Sequence, residues 1–225
     1  IFYWPEEALW HEWAGRMAEG CDQFTDACEH YEQAMEIVPE SLEITVKLGK
    51  AYMRVGRADA AVEMFSKASK QDPQSAELWF NLAEAQFASG DQRQALLSAE
   101  TSAKLNPNSS AAKVLCGEIS LALGGETKAL TMVREALRLD PANIRARLLN
   151  SKILSSKGKH REALEEISKA VEEIPDAVEL LTEKVRLIYQ LHGASEALKL
   201  LLPVVQSHPN NQELLALQAK ACIEV

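Results

Sequence analysis

Proline recurs at a fixed interval along this chain, and the interval limits what the chain can fold into. Only Pro203 of the eight prolines lies outside a series with a spacing of 34 residues, which is Pro5, Pro39, Pro73, Pro107, Pro141, Pro175 and Pro209. Proline ends or kinks a helix because it lacks the backbone N–H and clashes with the preceding turn. A constant interval of this length is typical of a repeat array, in which each unit stacks on its neighbours.

Small residues occupy matching positions in successive units. With proline at position 32 of the unit, position 20 is alanine six times, at Ala27, Ala61, Ala95, Ala129, Ala163 and Ala197. This column predicts that two helices approach closely there. Position 15 is glycine in the four middle units, at Gly56, Gly90, Gly124 and Gly158. Glycine permits the positive φ of a turn after a helix; it is displaced to Gly20 and Gly193 in the first and sixth units.

Apolar residues recur every three or four positions within each unit, which is the helical period. We therefore predict helix A over about positions 2 to 14 and helix B over about positions 18 to 31 of each unit. Neither helix can bury its apolar stripe alone, so consecutive units must stack. The predicted fold class is all-α.

Several columns of this pattern resemble the tetratricopeptide repeat. The second unit matches it at Leu48, Gly49, Tyr52, Ala61, Phe65, Ala68 and Pro73. The third matches at Trp79, Leu82, Ala95 and Pro107, and the first at Gly15, Ala27, Tyr31, Ala34 and Pro39. Later units depart from it at Asn150, Ser151, Lys184 and Val185. The resemblance implies a right-handed α-solenoid of stacked antiparallel helix pairs, with helices A lining a concave groove.

The period also sets the expected boundaries. Residues 1–7 would be the tail of a preceding repeat, and residues 212–225 the first helix of a seventh. Six repeats lie between them, at 8–41, 42–75, 76–109, 110–143, 144–177 and 178–211. Since the sequence does not begin with Met and ends on an unpaired helix A, we expect a fragment of a larger protein.

Composition and motifs exclude several classes of function. The net charge is −9, and residues 1–41 hold ten acids and one base, so the basic stripe that nucleic-acid binding requires is missing. No apolar run in the sequence is long enough to span a membrane, and we see no signal peptide. The four cysteines form no CxxC pair and predict buried reduced thiols, hence an intracellular protein, cytoplasmic or nuclear. We find no catalytic motif and expect neither enzymatic activity, nor a cofactor, nor a metal.

Positions 2, 5, 6, 9, 12 and 13 of helix A share one face, which we call the groove face because the resemblance points it into the groove. Position 9 is charged in all seven units, with the sign order basic, basic, acidic, acidic and then basic three times. A solvated charged surface would explain this as well as a binding site. The predicted partner-binding residues are Arg16, Lys47, Lys50, Arg54, Asn81, Glu84, Phe87, Leu115, Glu118, Lys152 and Arg186. For Phe87 and Leu115 the alternative is packing between helices.

The N-terminal end carries a second candidate interface, formed by Trp4, Trp10 and Trp13 beside several glutamates. Aromatic residues beside charge are typical of interfaces and would suit a basic partner. The alternative is that these tryptophans pack against a preceding helix. Both ends of the array expose a stacking surface, which also allows a homo-oligomer.

The resemblance implies a scaffold that binds a peptide segment or helix of a partner protein in its groove. Chaperone-binding relatives use a carboxylate clamp whose asparagine at position 6 occurs here only as Asn81, without the other clamp residues, so we do not expect chaperone tails as partners. Two alternatives stay open. The array could be a structural or oligomerisation module of a multi-subunit complex, or the targeting module of an enzyme whose catalytic domain lies outside this sequence.

Overall fold

The computed structural model describes residues 6–224, which form thirteen α-helices and no β-strand. In chain order the helices are α1 (Glu6–Gly20), α2 (Phe24–Ile37), α3 (Leu42–Arg54), α4 (Ala58–Gln71), α5 (Ala76–Ala88), α6 (Gln92–Leu105), α7 (Ser110–Ala122), α8 (Glu126–Leu139), α9 (Ile144–Ser156), α10 (His160–Glu173), α11 (Val178–His192), α12 (Ala194–Ser207) and α13 (Gln212–Ile223). Odd-numbered helices are helices A and even-numbered helices are helices B. The fold is an all-α solenoid of helix pairs, as predicted.

The proline turn is followed by a residue that starts the next helix. The side chains of Ser41, Ser75, Ser109, Asn143 and Asn211 each accept a hydrogen bond from the backbone N–H three residues further on. This capping satisfies one of the N–H groups that a helix start leaves without a partner. The six helices A from α3 to α13 begin at position 1 of the period, one residue earlier than predicted, whereas α1 begins two residues before position 1.

The turn from helix A to helix B requires a positive φ. Glycine supplies it at the four predicted middle positions and at Gly193, where φ is between +72° and +92°. In the first helix pair the glycine expected to make this turn, Gly20, is instead the last residue of α1. The positive φ there falls on Asp22, at +58°, which is a conformation that aspartate tolerates better than most residues.

Close helix contacts lie where the small residues predict them. All six alanines of position 20 are fully buried. On the facing helices A, a Cβ added to Gly15 would come within 2.5 Å of the Tyr31 ring, and one added to Gly49 within 2.9 Å of the Phe65 ring. Glycine at these two positions therefore makes room for an aromatic ring.

The chain divides into two compact units, one ending at Leu123 and one beginning at Gly124. The core of the first unit includes Tyr31, Leu48 and Phe65. The second unit has one cluster around Ile167 and Leu180 and another around Val185 and Leu201. None of the described helices is long and apolar enough to cross a membrane.

Candidate functional site

The predicted groove-face residues are divided between the two units. Lys152 and Arg186 lie in the second unit, and the other nine lie in the first. Lys152, Arg16 and Arg54 are exposed, whereas Asn81, Glu84, Phe87 and Glu118 are half-buried. Leu115 is fully buried, which favours the alternative that it packs inside the array; its contact with a partner stays a prediction.

Lys47 of α3 lies between two carboxylates. Its Nζ donates a hydrogen bond to Glu12 of α1, whose side chain is largely buried, and another to Glu43, one helical turn earlier, at 2.6 Å. Burial alone would lower the pKa of Lys47, but the hydrogen bonds to Glu12 and Glu43 outweigh it, so the pKa is raised. The ammonium charge is therefore fixed inside the chain, and it ties α1 to α3.

The other cations of α3 also have internal contacts. The Nζ of Lys50 lies 2.9 Å from Glu77 of α5, in an exposed ion pair. The Arg54 guanidinium lies 4.3 Å from the centre of the Phe24 ring, within the range of a cation–π interaction. Three carboxylates thus surround two lysines on this face. The charges of Lys47 and Lys50 are thus compensated by carboxylates of the chain itself.

A charge at position 9 of one helix A can pair with an opposite charge at position 2 of the next helix A, and this accounts for part of the sign order at position 9. Lys50 at position 9 of α3 pairs with Glu77 at position 2 of α5. In the second unit, Arg186 at position 9 of α11 pairs with Glu213 at position 2 of α13. Opposite charges at these two positions join consecutive helices A. Sequence reasoning missed the rule, although the glutamates at position 2 were visible as its signal.

The second unit contains a buried polar network on the same face. Glu183 of α11 is buried and accepts a hydrogen bond of 2.7 Å from Ser151 of α9. Arg186 lies 2.8 Å from Glu183 and also reaches Glu213 of α13. The network links three consecutive helices A, which is a structural use of Arg186 that its predicted role in ligand binding did not include.

An open cavity of about 460 Å³ lies beside the groove face of the first unit. Leu42, Val46 and Leu78 form its apolar part, and Lys47 and Lys50 are among its charged residues. An apolar floor with a charged rim suits the anchor side chain of a bound peptide. The sequence analysis predicted Lys47 and Lys50 as partner-binding residues, but it did not include Leu42, Val46 or Leu78.

Asn81 and Phe87 lie on α5, the helix that also contributes Leu78 to this cavity. The Nδ2 atom of Asn81 is buried and has no hydrogen-bond partner within residues 6–224. A buried N–H without a partner costs stability. Phe87 is half-buried and adds apolar surface to the same helix.

The N-terminal aromatic residues are exposed. Trp10 and Trp13 of α1 are both more than half exposed, whereas Trp4 lies outside the described residues. The ring of Trp10 makes edge contacts with His11 and His30, at centroid distances of 4.8 and 5.7 Å. The alternative that they pack against a preceding helix concerns residues 1–4, which lie outside the described residues.

Chemistry-bearing groups are scattered in the described part of the chain. No group of three or more metal-binding side chains occurs there. None of the four cysteines forms a disulfide; Cys28 and Cys116 are buried as expected, but Cys21 and Cys222 are exposed. Burial, followed by the neighbouring Glu32, raises the pKa of the Cys28 thiol, which disfavours the reactive thiolate.

Comparison with known proteins agrees with the repeat geometry. The sequence model of the tetratricopeptide repeat matches residues 46–110. The matched segment, which covers most of α3 and all of α4, α5 and α6, carries tetratricopeptide repeats. No curated protein sequence matches it.

Solved tetratricopeptide-repeat proteins share the fold. The structure is similar to that of a tetratricopeptide repeat protein from Parabacteroides merdae, with a TM-score of 0.79 and 17% identity over 98% of this chain and 87% of that one. It is also similar to TTC0263 from Thermus thermophilus, with a TM-score of 0.71 and 23% identity over 81% of this chain and 100% of that one. A third similar structure is the MamA protein, with a TM-score of 0.65 and 26% identity over 74% and 91% of the two chains.

Proposed function

We propose that this tetratricopeptide array is a non-catalytic scaffold that binds a peptide segment or helix of a partner protein on the groove face of its first unit. The observation that carries the proposal is the cavity whose apolar part is Leu42, Val46 and Leu78. One apolar side chain of the ligand would occupy it. Asn81 would hydrogen-bond the ligand backbone, and Phe87 would contact a second apolar group.

The charges around the cavity narrow the chemistry of the ligand. Lys47 and Lys50 already pair with Glu12, Glu43 and Glu77, so the ligand gains little from being acidic. Exposed ion pairs contribute about 0–1 kcal/mol each, whereas anchor side chains in desolvated pockets dominate binding energy. We therefore propose recognition by an apolar anchor and backbone hydrogen bonds. Four cysteines without a disulfide among them favour an intracellular setting, cytoplasmic or nuclear, for this interaction.

The test compares two valines in equivalent surroundings. Val46 on α3 lines the cavity, whereas Val62 on α4 lies on a helix B; both are half-buried against the same core cluster. The wild-type chain, Val46→Glu and Val62→Glu would serve as baits in quantitative affinity purification. Circular dichroism would first establish that all three are equally folded.

We expect Val46→Glu to lose a defined set of partners that wild type and Val62→Glu retain, because a carboxylate cannot be desolvated in an apolar anchor site. Retention of the same partners by Val46→Glu would contradict binding on the groove face. Loss of the set from Val62→Glu alone would place the interface on the helix-B side.

A further inference from the structure

A cleft lies between helices α8 and α10 of the second unit, with α9 as its floor, and we call it the α8–α10 cleft. Two open cavities of about 290 and 390 Å³ lie side by side along it, since Leu137, Asn150 and Glu166 line both. The residues of α9 that line the cleft, at positions 4, 7, 11 and 14, are Arg147, Asn150, Leu154 and Lys157. Helical spacing places these positions opposite the groove face of α9. All lining residues lie between residues 130 and 173, away from both ends of the chain.

The cleft is open because α9 has polar side chains where helices A of the first unit have core side chains. Position 7 is Leu48 in α3 and Leu82 in α5, and neither is more than 4% exposed. Asn150 of α9 takes the same position, is half-buried and lines both cavities. Position 4 is Trp79 in α5, which packs against the core of the first unit, but Arg147 in α9. The cleft therefore lacks the large apolar side chains that would fill it.

Most charges that line the α8–α10 cleft are compensated within the chain. The ion pairs around it are Arg147–Glu173, Lys157–Glu126, Lys159–Glu162 and Lys169–Glu166. Arg134 and Glu165, both exposed, are the two lining charges that have no ion-pair partner within residues 6–224. Arg134 lies on α8 and Glu165 on α10, so one wall keeps a positive charge and the other a negative charge. A ligand that presents opposite charges to the two walls would complement both.

Three leucines form the apolar part of the α8–α10 cleft. Leu130 and Leu137 of α8 are seven residues apart and therefore lie on one face of that helix. Leu154 of α9 lies at the floor, and all three leucines are half-buried. Two helices form the walls, and the apolar side chains recur at helical spacing. Because of this arrangement, the complementary ligand is a third helix with an apolar stripe.

We propose that the α8–α10 cleft binds an amphipathic helix of a partner protein, with an acidic row on one flank of its apolar stripe and a basic row on the other flank. The stripe would contact Leu137 and the two neighbouring leucines. The acidic flank would face Arg134, and the basic flank would face Glu165. The cleft shares no residue with the groove-face site of the first unit, so the two proposals fail independently.

The probes are three stapled helical peptides that share one stripe of leucines and differ only in the flanking residues. The mixed peptide has glutamate on one flank and lysine on the other, the second peptide has lysine on both flanks, and the third has glutamate on both. Binding of each fluorescein-labelled peptide to the full 225-residue chain is measured by anisotropy in about 0.15 M salt, which screens the net charge of −9. We expect the mixed peptide to bind about fivefold more tightly than either control, as one exposed ion pair can give.

Exchange of the charge on one wall should change which peptide binds most tightly. Arg134→Glu makes both walls negative and should favour the peptide with lysine on both flanks. Glu165→Lys makes both walls positive and should favour the peptide with glutamate on both flanks. Glu196→Lys and Lys199→Glu on α12 make the same changes at exposed residues outside the cleft, and should leave the order of the three peptides unchanged.

An apolar substitution locates the stripe. Leu137→Asp should weaken binding of the mixed peptide at least about tenfold, because it places a carboxylate in an apolar contact. Leu200→Asp, at a half-buried leucine on α12 outside the cleft, should leave binding unchanged. Circular dichroism would establish that both variants are folded, and the charge exchanges at exposed residues test the proposal even if Leu137→Asp is not. Val46→Glu in the first unit should bind the mixed peptide as wild type does.

Four outcomes would overturn the proposal. The mixed peptide fails to bind at concentrations up to about 1 mM, or binds no more tightly than both controls. The order of the three peptides is the same in wild type, Arg134→Glu and Glu165→Lys. Val46→Glu abolishes binding and Leu137→Asp does not, in which case the peptide occupies the groove face. The wild-type chain is a dimer in light scattering that Leu137→Asp converts to a monomer, in which case a second copy occupies the cleft.

Discussion

The helix pairs α3–α4 and α11–α12 fill the space between positions 8 and 24 with residues of different size. In the first, Gly49 at position 8 leaves room for the Phe65 ring at position 24. In the second, the same positions hold Val185 and Leu201, both buried. The two positions therefore compensate for each other in volume. Neither residue type is required, but each limits what its partner can be.

The two pairs also differ in how they use the charge at position 9. Lys50 of α3 is half exposed and pairs with Glu77 alone. Arg186 of α11 contacts Glu213 and also Glu183, whose side chain is only 6% exposed. An equivalent position thus carries a solvent-screened ion pair in one unit and part of a buried network in the other.

Removal of the large partner should produce the largest effects. Phe65→Ala should lower the free energy of unfolding by about 4 kcal/mol and Leu201→Ala by about 3 kcal/mol, because the lost ring leaves the larger cavity. All four tryptophans lie in the first unit, so their emission in urea reports that unit, while circular dichroism reports both. Leu97→Ala, at an exposed site, should change stability by less than about 0.5 kcal/mol. An equal loss from Phe65→Ala and Leu97→Ala would refute the packing account.

Valine, the residue of α11 at position 8, should lower the free energy of unfolding somewhat less when it is placed at position 8 of α3. Gly49→Val should destabilise the first unit by about 3 kcal/mol, because its Cβ would lie 2.9 Å from ring carbons of Phe65. Adding Phe65→Leu should restore about 1–2 kcal/mol of this, since valine with leucine is the pair that α11 and α12 use. The coupling free energy comes from a double-mutant cycle in urea; strict additivity would mean that the two positions do not share volume.

Removal of the charge at position 9 should lower the free energy of unfolding more in the second unit than in the first. Arg186→Ala should cost about 2 kcal/mol, because buried Glu183 keeps its bond to Ser151 but loses its cation, and partial exposure of Arg186 reduces the loss. Lys50→Ala should cost about 0.5 kcal/mol and become neutral in 0.5 M salt. Urea unfolding at two salt concentrations measures both. Equal costs would show that Glu183 gains nothing from Arg186.

The effect of a further substitution in α3, Tyr52→Phe, depends on pH. The Tyr52 hydroxyl of α3 donates a 2.6 Å hydrogen bond to Glu32, and burial followed by that bond raises its pKa above the ordinary value of 10. The folded state therefore favours neutral tyrosine, so the contribution of Tyr52 to stability is fully present below pH 10 and is lost above it, where the unfolded chain ionises first. Tyr52→Phe should cost about 1 kcal/mol at pH 7 and progressively less above pH 10.

Thermal unfolding of the first unit between pH 7 and 11 would test this dependence. Tyr31→Phe provides a parallel comparison, since burial and Glu19 raise the pKa of Tyr31 in the same direction. A difference between wild type and Tyr52→Phe that stays constant across the range would contradict the assigned pKa.

Much of this fold follows from the sequence because repetition multiplies weak signals. One alanine or one proline decides little, but six alanines in one column fix the phase of every helix pair. The positive φ after helix A was predictable at Gly56 for the same reason. At Asp22 it was not, since the glycine nearby, Gly20, suggested the wrong residue.

The groove face was harder to predict because helical spacing assigns a residue to a face without saying what covers it. Position 6 is half-buried as Asn81, fully buried as Leu115 and buried with a charge as Glu183. Those differences depend on the side chains of neighbouring helices, which a single period does not contain. The counterions of Lys47 and Lys50 were missed because they lie 35 and 27 residues away, on other helices.

The turn at Gly193 differs from the others in length. Three residues separate α3 from α4, whereas Gly193 alone separates α11, which has 15 residues, from α12. Two residues that form a turn elsewhere are helical here, yet the next helix A still begins 34 residues after the last. Extra residues inserted after Arg54 would lengthen an exposed loop, but residues inserted at Gly193 would shift a helix against its neighbours. A protease or an inserted tag should therefore distinguish two connections that perform the same task.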